Sequence, residues 1–242
     1  MKLSRYQRSA SVSYAFGATL VYELLSNHPE LITRIFLRAN LANIGPQLTT
    51  LLDQLLQRHF DIIESTKAFN ILGAKDSCLL IAEFRKPTTT LQSDASHLML
   101  VNPSDSGNLG TIMRSAAAFG YHDLAIITPA VDPFDPKTVR ASMGAVFHLN
   151  LQQFPDFASY DQSYGQSRTY YAFMLDVTAQ TLAELKTVNQ PHSLIFGNEA
   201  TGLPADFARL ATPIFIPQSS QVDSLNLSVA ASIALYYFSQ IN

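Results

Sequence analysis

Short apolar runs alternate with helix-forming segments from residue 97 onward, and this alternation limits the possible folds more than any other feature of the chain. Apolar runs of strand length lie at 97–101, 124–128, 146–149, 169–175, 193–196 and 213–216. Helical patterns lie between several of them, notably at 108–119 and 225–238. Continuously apolar strands separated by helices are typical of a mainly parallel sheet covered by helices on both faces. The sequence therefore predicts an α/β fold for this part of the chain.

A polar segment at 86–96 separates this region from the residues before it. The segment begins with an X-Pro step and has neither helical nor strand periodicity, which is typical of a linker. We therefore predict two domains, at 1–90 and 97–242. The first is predicted to be a small α/β unit, with strands near 31–37, 60–63 and 78–84 and helices near 20–25 and 48–56.

The two parts of the chain differ in charge. Residues 1–94 contain 10 Lys+Arg and 8 Asp+Glu, a net charge of +2, whereas residues 95–242 contain 6 and 11, a net charge of -5. The total of -3 excludes a protein that coats nucleic acid through overall positive charge, so any nucleic-acid contact must be local. The basic excess favours a polyanion contact in the first part, although an ordinary solvated surface has the same composition.

Cysteine content and hydropathy bear on the cellular compartment. The chain has a single cysteine, Cys78, which cannot form an internal disulfide and so favours the reducing cytoplasm. The first residues lack the apolar region of a secretion signal, and no apolar stretch reaches the roughly 18 residues of a membrane span. We predict a cytoplasmic protein that does not associate with membranes.

Ligands of open parallel sheets bind beyond the carboxyl ends of the strands, so the loops after residues 101, 196 and 216 are the candidate sites. The first loop leads into a helix that carries Arg114, the only cation between Lys86 and Lys137, and an arginine fork is suited to binding phosphate. The second loop places Glu199 between two glycines. In the third loop, Ser224 is predicted to cap the last helix.

The last helical pattern, at 225–238, is apolar on nearly all sides. A helix of this kind must be covered on two sides. Its own sheet can cover one side, and a second subunit is the simplest cover for the other.

Several other chemistries lack their signatures in this chain. It has no Gly-x-Ser-x-Gly turn, no Gly-x-x-x-x-Gly-Lys phosphate loop and no Gly-x-Gly-x-x-Gly dinucleotide turn. The six histidines show no metal-ligand spacing, so we predict no metal site.

Taken together, the three loops resemble motifs 1, 2 and 3 of the SPOUT superfamily, in its TrmH/SpoU branch of RNA ribose 2′-O-methyltransferases. The matching segments are Asn102-Pro-x-x-x-Gly-Asn-x-Gly-x-x-x-Arg114, Phe196-Gly-Asn-Glu-x-x-Gly-Leu203, and Ile216-Pro217 followed by Ser224-Leu-Asn-Leu-Ser-Val-Ala-Ala231. The resemblance covers about residues 97–240. It implies a C-terminal domain with a deep trefoil knot, preceded by a small RNA-binding domain.

The resemblance also implies a cofactor, a partner and roles for individual residues. The implied cofactor is S-adenosylmethionine, bound through Gly197, Ile216 and Leu225. The implied catalytic and supporting residues are Arg114, Asn102, Glu199, Ser224 and Asn226. The implied assembly is a homodimer through the motif 1 and C-terminal helices, and the implied substrate is a ribose 2′-hydroxyl of tRNA or rRNA.

Some points stay open at the level of the sequence. Motif 3 of the family has Met after Ile-Pro and a glycine two residues later, where this chain has Gln218 and Ser220. Arg114 could act as a base or as a phosphate clamp, and the clamp is favoured because a guanidinium rarely loses its proton. The alternatives to a ribose methyltransferase are a non-catalytic RNA-binding relative and a SPOUT enzyme that modifies bases.

Overall fold

The computed structural model describes residues 3–39 and 44–241. The strands are β1 Val12–Phe16, β2 Ile32–Leu37, β3 Ile62–Glu64, β4 Leu80–Arg85, β5 His97–Val101, β6 Asp123–Ile127, β7 Asn150–Phe154, β8 Thr169–Phe173, β9 Gln180–Thr181, β10 His192–Phe196 and β11 Thr212–Phe215. The helices are α1 Ala18–Asn27, α2 Pro46–Gln57, α3 Thr66–Leu72, α4 Ser106–Ala118, α5 Pro136–Ala141, α6 Phe157–Tyr164, α7 Phe207–Leu210 and α8 Leu227–Ile241.

These elements form two compact units. The first contains the chain up to Pro87 together with Asp132–Phe147, and the second contains Thr88–Val131 and the chain from His148 onward. The break at 87/88 lies close to the linker that the sequence predicts. The segment Asp132–Phe147 differs from the prediction, which assigned it to the second domain.

The first unit is built on a four-stranded sheet in the order β1-β4-β2-β3. The central strand β4 runs antiparallel to both neighbours, whereas β3 runs parallel to β2. The leucines that set the helical spacing are buried in α1, and those of α2 are buried except Leu56, which is 57% exposed. Phe69 of α3 and Ile81 of β4 are also buried. The predicted strands and helices of this unit are therefore present, and β1 and α3 are additional.

The sequence does not predict β1, because its polar residue is buried and finds its hydrogen-bond partner in a distant segment. Ser13 is fully buried, and its hydroxyl donates to the backbone oxygen of Phe134 in the 132–147 segment. The Tyr6 hydroxyl donates to the Asp132 carboxylate, and His28 Nε2 lies 2.9 Å from the oxygen of Phe147. These contacts attach the 132–147 segment to the first unit.

The second unit is a seven-stranded sheet in the order β7-β6-β5-β10-β8-β11-β9, and every pairing in it is parallel. Every residue of β5, β6 and β10 is buried, which explains the apolar runs that follow the polar first residues of these strands. The prediction of an α/β fold with a parallel sheet is confirmed.

One strand of this sheet was placed wrongly from the sequence. The sequence predicts a strand at 146–149, but Ala145–His148 form a 3₁₀ turn and the strand is β7, which begins at Asn150. The pattern misleads because β7 contains two glutamines. Gln152 is accommodated there because its Oε1 accepts hydrogen bonds from Leu91 N (3.2 Å) and the Tyr164 hydroxyl (2.9 Å).

Helix α8 packs against α4 and against the sheet. Its buried residues include Ala231, Ala234 and Phe238, and the Phe238 ring lies 5.1 Å from that of Tyr171 in β8. Within the described part of the chain, no helix has the length and apolar character needed to cross a bilayer.

Candidate functional site

The three candidate loops follow β5, β10 and β11, and they are defined here as the first loop (102–105), the second loop (197–206) and the third loop (216–226). β5 and β10 are paired, and β8 lies between β10 and β11. Because the strands are parallel, their carboxyl ends share one edge of the sheet. Asn198 Nδ2 in the second loop donates to the oxygen of Asn102 in the first, at 2.7 Å. The sequence prediction that these loops form one site is supported by this contact.

Glu199 joins the second loop to the first loop and to α4 through four hydrogen bonds. Its Oε2 accepts from Ser104 N (3.0 Å) and the Ser104 hydroxyl (2.8 Å), and its Oε1 accepts from Asp105 N (3.2 Å) and Asn108 Nδ2 (3.2 Å). Burial alone would raise the pKa of Glu199, but these hydrogen bonds hold it below its usual value. Glu199 is therefore an ionised clamp on the start of α4 and has no acceptor site left for a substrate proton.

Asn108 links all three loops, and sequence reasoning gave it no role. Its backbone N–H donates to the Asp105 carboxylate at 2.7 Å, which caps α4. Its side chain donates to Glu199 and accepts a hydrogen bond from Asn226 Nδ2 at 3.0 Å. The sequence does contain a signal for this role, because Asn108 lies three residues after Asp105 and a capped first turn holds its side chain near the loops.

Asn226, and not Ser224, caps α8. The Oδ1 of Asn226 accepts hydrogen bonds from Ser228 N (2.8 Å) and the Ser228 hydroxyl (2.7 Å). The prediction for Ser224 as the cap is therefore wrong by two residues. The Ser224 side chain is exposed beside the site, and Asn226 combines two contacts, to the helix and to Asn108.

Gly197 permits the second loop to fold back on itself. Asn198 N donates to Gly202 O at 3.2 Å, and Gly202 N donates to Asn198 O at 2.9 Å. A Cβ placed on Gly197 would lie 2.1 Å from the carbonyl carbon of Gly202. No residue with a side chain fits at this position without moving the backbone of the loop.

A cavity of about 420 Å³ lies between the second and third loops. It is lined by Gly197, Ile216 and Leu225, the three residues predicted to bind a cofactor, and by Glu199 and Ser224. The rings of Phe173 and Phe196, which also line it, are stacked with centroids 4.4 Å apart. The volume lies within the roughly 300–1,000 Å³ of small-molecule sites.

Gln218, one of the two departures from the family motif, also lines this cavity. Its Nε2 donates to the backbone oxygen of Asp223 at 3.3 Å, which closes the third loop on itself. Ser220, the other departure, is exposed and does not line the cavity.

Arg114 and Asn102 do not line this cavity. Arg114 is exposed on α4, and no hydrogen bond or ion pair joins its guanidinium to any residue that the structure describes. Asn102 adopts the left-handed conformation (φ 55°), and its Nδ2 donates to Pro129 O at 3.2 Å. The structure thus joins Asn102, Glu199 and Asn226 in one hydrogen-bonded network and leaves Arg114 free to contact a ligand.

A model of the SpoU rRNA Methylase family matches residues 95–236, a range that contains all three loops. An uncharacterized tRNA/rRNA methyltransferase of Synechocystis sp. is 36% identical over 140 residues, which cover 57% of this chain and 51% of that protein. The 23S rRNA (uridine(2479)-2′-O)-methyltransferase of Streptomyces viridochromogenes is 30% identical over 151 residues, with coverages of 60% and 53%. The chain thus spans about half the length of these curated relatives.

Solved structures resemble the chain over a longer range. The AdoMet-bound rRNA methyltransferase from Sinorhizobium meliloti is 26% identical, has a TM-score of 0.77, and matches 94% of this chain and 86% of its own. Its similarity therefore extends over both units.

Proposed function

The chain belongs to the SpoU rRNA Methylase family, as its three motifs predict, and from this premise we propose that it methylates a ribose 2′-hydroxyl of rRNA or tRNA with S-adenosylmethionine as donor. The observation that carries the proposal is the cavity beside the second and third loops. All three residues that the motifs assign to the cofactor line it, although Ile216 and Leu225 lie more than 18 residues after Gly197 in the chain.

The cavity suits S-adenosylmethionine in shape and chemistry. Leu225, Ile216 and the stacked Phe173–Phe196 pair offer apolar surface for a purine ring, and the missing side chain at Gly197 brings the backbone of the second loop to the cavity wall. Ser224 and Asn198 supply polar groups on the same wall. When bound, S-adenosylmethionine supplies a methyl group on a sulfonium, whose neutral thioether product is a good leaving group.

The chain itself must align the ribose and handle the hydroxyl proton. Arg114 is suited to hold a phosphate beside the target ribose, because a guanidinium stays charged in proteins and its planar fork matches phosphate oxygens. Glu199, Asn108 and Asn226 act as positioning residues that fix the three loops. The base role for Arg114 would require a deprotonated guanidinium, so the clamp is the mechanism we propose.

We also propose a homodimer formed through α4 and α8. The two helices contact each other through the hydroxyls of Ser115 and Ser232, 2.6 Å apart. Beside this contact, α8 exposes Val229, Ile233 and Tyr236. A second subunit on this apolar face would also cover the neighbourhood of Arg114, one residue from Ser115.

Three further elements of the proposal follow from the family. They are a trefoil knot formed by the second and third loops, an RNA-binding role for the first unit, and a location in the cytoplasm. The net charge of +2 in residues 1–94, against -5 in the remainder, supports the RNA-binding role.

The function is tested by incubating the protein with S-adenosylmethionine carrying a labelled methyl group and with rRNA or tRNA from cells that lack the protein. Nucleoside mass spectrometry should find the label on ribose. Label on a base would show a base-modifying enzyme instead. Binding of RNA and S-adenosylmethionine without any transfer would show a non-catalytic relative.

A further inference from the structure

The first unit contains a second cavity, of about 460 Å³, remote in sequence from the three loops. Its walls come from the start of the chain, from β1, from the segment that follows α3, and from α5. All of these segments belong to the first unit. Nothing in the proposed transfer of a methyl group uses this cavity.

Basic side chains far outnumber acidic ones in the cavity walls. Arg5, Lys75, Lys137 and Arg140 line it, against one acidic residue, Asp135. The carboxylate of Asp135 accepts a hydrogen bond from Lys137 N at 2.8 Å as the cap of α5. No ion pair joins the four basic groups to any carboxylate in the described residues. The cavity therefore has a strong excess of uncompensated positive charge, which favours an anionic ligand.

Three aromatic side chains also line the cavity. Tyr6, Tyr14 and Phe16 line it, and the rings of Tyr14 and Phe16 lie 6.3 Å apart. Tyr6 is fixed by its hydrogen bond to Asp132 and by the Lys86 ammonium, 4.6 Å from its ring centroid. Fixed aromatic surface beside several cations is the combination that proteins use for the base and phosphate of a nucleotide.

We propose that this cavity binds one nucleotide of single-stranded RNA, with its phosphate held by Lys137 and Arg140 and its base against the aromatic side chains. A concave site of this size accepts an unstacked base, whereas the bases of a duplex are covered by their neighbours. The inference rests on the proposed function, because it takes the ligand to be part of the RNA substrate. It gives the first unit a defined contact for selecting an unpaired region next to the methylated ribose.

The first test compares two double variants that remove the same charge. Lys137→Ala/Arg140→Ala removes two cations from the cavity, whereas Lys67→Ala/Lys186→Ala removes two exposed lysines that do not line it. The probe is fluorescein-labelled oligouridylate, titrated at several salt concentrations. The cavity variant should bind about tenfold more weakly and reduce the salt slope by about 0.7, the value for one phosphate contact on a single strand. The control variant should bind like the wild type.

The second test needs no variant, because Cys78 lines the cavity and is the only cysteine in the chain. Burial raises the pKa of the Cys78 thiol, so alkylation by N-ethylmaleimide should be slow enough to follow by mass spectrometry. Oligouridylate at a saturating concentration should slow the alkylation at least fivefold, because the thiol reacts only in the fraction of protein whose cavity is empty. S-adenosylmethionine and duplex RNA should leave the rate unchanged.

Each outcome bears on the inference. Equal losses of affinity in the two double variants, or no protection of Cys78 by oligouridylate, would overturn it. Equal protection by polyglutamate, which carries negative charge but no base, would overturn RNA as the ligand. The proposed function fails separately: a wild-type protein that transfers no methyl group to rRNA or tRNA, while oligouridylate still protects Cys78, would leave the cavity assignment standing.

Discussion

Arg114 is exposed on α4, makes no ion pair or hydrogen bond with the described residues, and does not line the cofactor cavity. A residue that only stabilised the helix would have a partner in its own chain. We therefore expect Arg114→Ala to reduce methyl transfer by about 10²–10³-fold, as for the loss of a transition-state contact, with unchanged affinity for S-adenosylmethionine. Methyl-transfer kinetics and calorimetry on the same preparation check this.

Two further variants are compared with Arg114→Ala: Arg114→Lys tests the shape of the side chain, and Arg209→Ala is the control. The lysine keeps the charge but lacks the planar fork, so it should restore little activity. Arg209 is an exposed arginine of α7, and its replacement should leave the transfer rate unchanged. Substantial turnover by a folded Arg114→Ala protein would remove Arg114 from the mechanism.

Glu199 acts on the site through the first loop, so its replacement should affect stability and cofactor binding together. In Glu199→Gln, one carboxylate oxygen becomes an NH₂ group that faces donors from Ser104 or from Asp105 and Asn108. We expect a loss of about 1–3 kcal/mol in the free energy of unfolding, with weaker binding of S-adenosylmethionine. Urea unfolding and calorimetry measure both. Glu64→Gln, at an exposed position in β3, is the control.

At the level of elements, the strands β5 and β10 begin in a buried polar network opposite the site. His97 Nδ1 lies 2.7 Å from the Tyr160 hydroxyl, and His192 Nε2 lies 2.6 Å from the Tyr121 hydroxyl. Burial lowers the pKa of each histidine from 6.5 to about 4, so both are neutral at pH 7. The stability of the first residues of β5 and β10 therefore depends on whether these two histidines are protonated.

The sign of the pH dependence follows from this shift. Between about pH 6.5 and pH 4 the unfolded chain binds more protons than the folded protein, so stability falls as the pH falls. The loss approaches about 3 kcal/mol per histidine at the lower end. Urea unfolding at pH 7, 5.5 and 4.5 measures it. His97→Asn should flatten the dependence, whereas His59→Asn, at an exposed position, should keep the wild-type profile.

Helix α8 exposes an apolar face, on which the proposed dimer rests. Val229, Ile233 and Tyr236 are 45%, 38% and 55% exposed, at a spacing that places them on one face. If this face forms a dimer, Ile233→Asp should give a monomer, because an unpaired carboxylate would be buried in the interface. Light scattering after gel filtration measures the mass. Val177→Asp, in an 80% exposed loop position, should not change it, and an unchanged mass for Ile233→Asp would contradict the proposed dimer.

At the scale of the whole molecule, the cavity proposed for the cofactor and all three loops lie in the second unit. A fragment that begins at Thr88 should therefore bind S-adenosylmethionine within about threefold of the full chain. The same deletion removes Tyr6, Ser13 and Phe84, which contact the 132–147 segment. Hydrogen exchange should accordingly become faster in that segment alone. A folded fragment without cofactor binding would show that the first unit contributes to the site.

The sequence predicted most of the elements because their signals are local. The apolar runs of β5 and β10 and the leucine spacing of α2 depend only on neighbouring residues, and burial in the sheet agrees with them. The three motifs likewise located the loops and the family. Local signals failed at β1 and β7, where Ser13 and Gln152 are buried with hydrogen-bond partners from elsewhere in the chain.

The sequence by itself thus determined the α/β class and the three loops at one sheet edge, and it named Gly197, Ile216 and Leu225, which line the cavity beside the second and third loops. Only the tertiary structure decided which side chains bond to one another. Glu199 meets Ser104 across 95 positions, Asn226 meets Asn108 across 118, and the 132–147 segment joins the first unit. The physical reason is that hydrophobic periodicity reports whether a residue is buried, whereas a hydrogen bond depends on which distant segment is brought within about 3 Å of it.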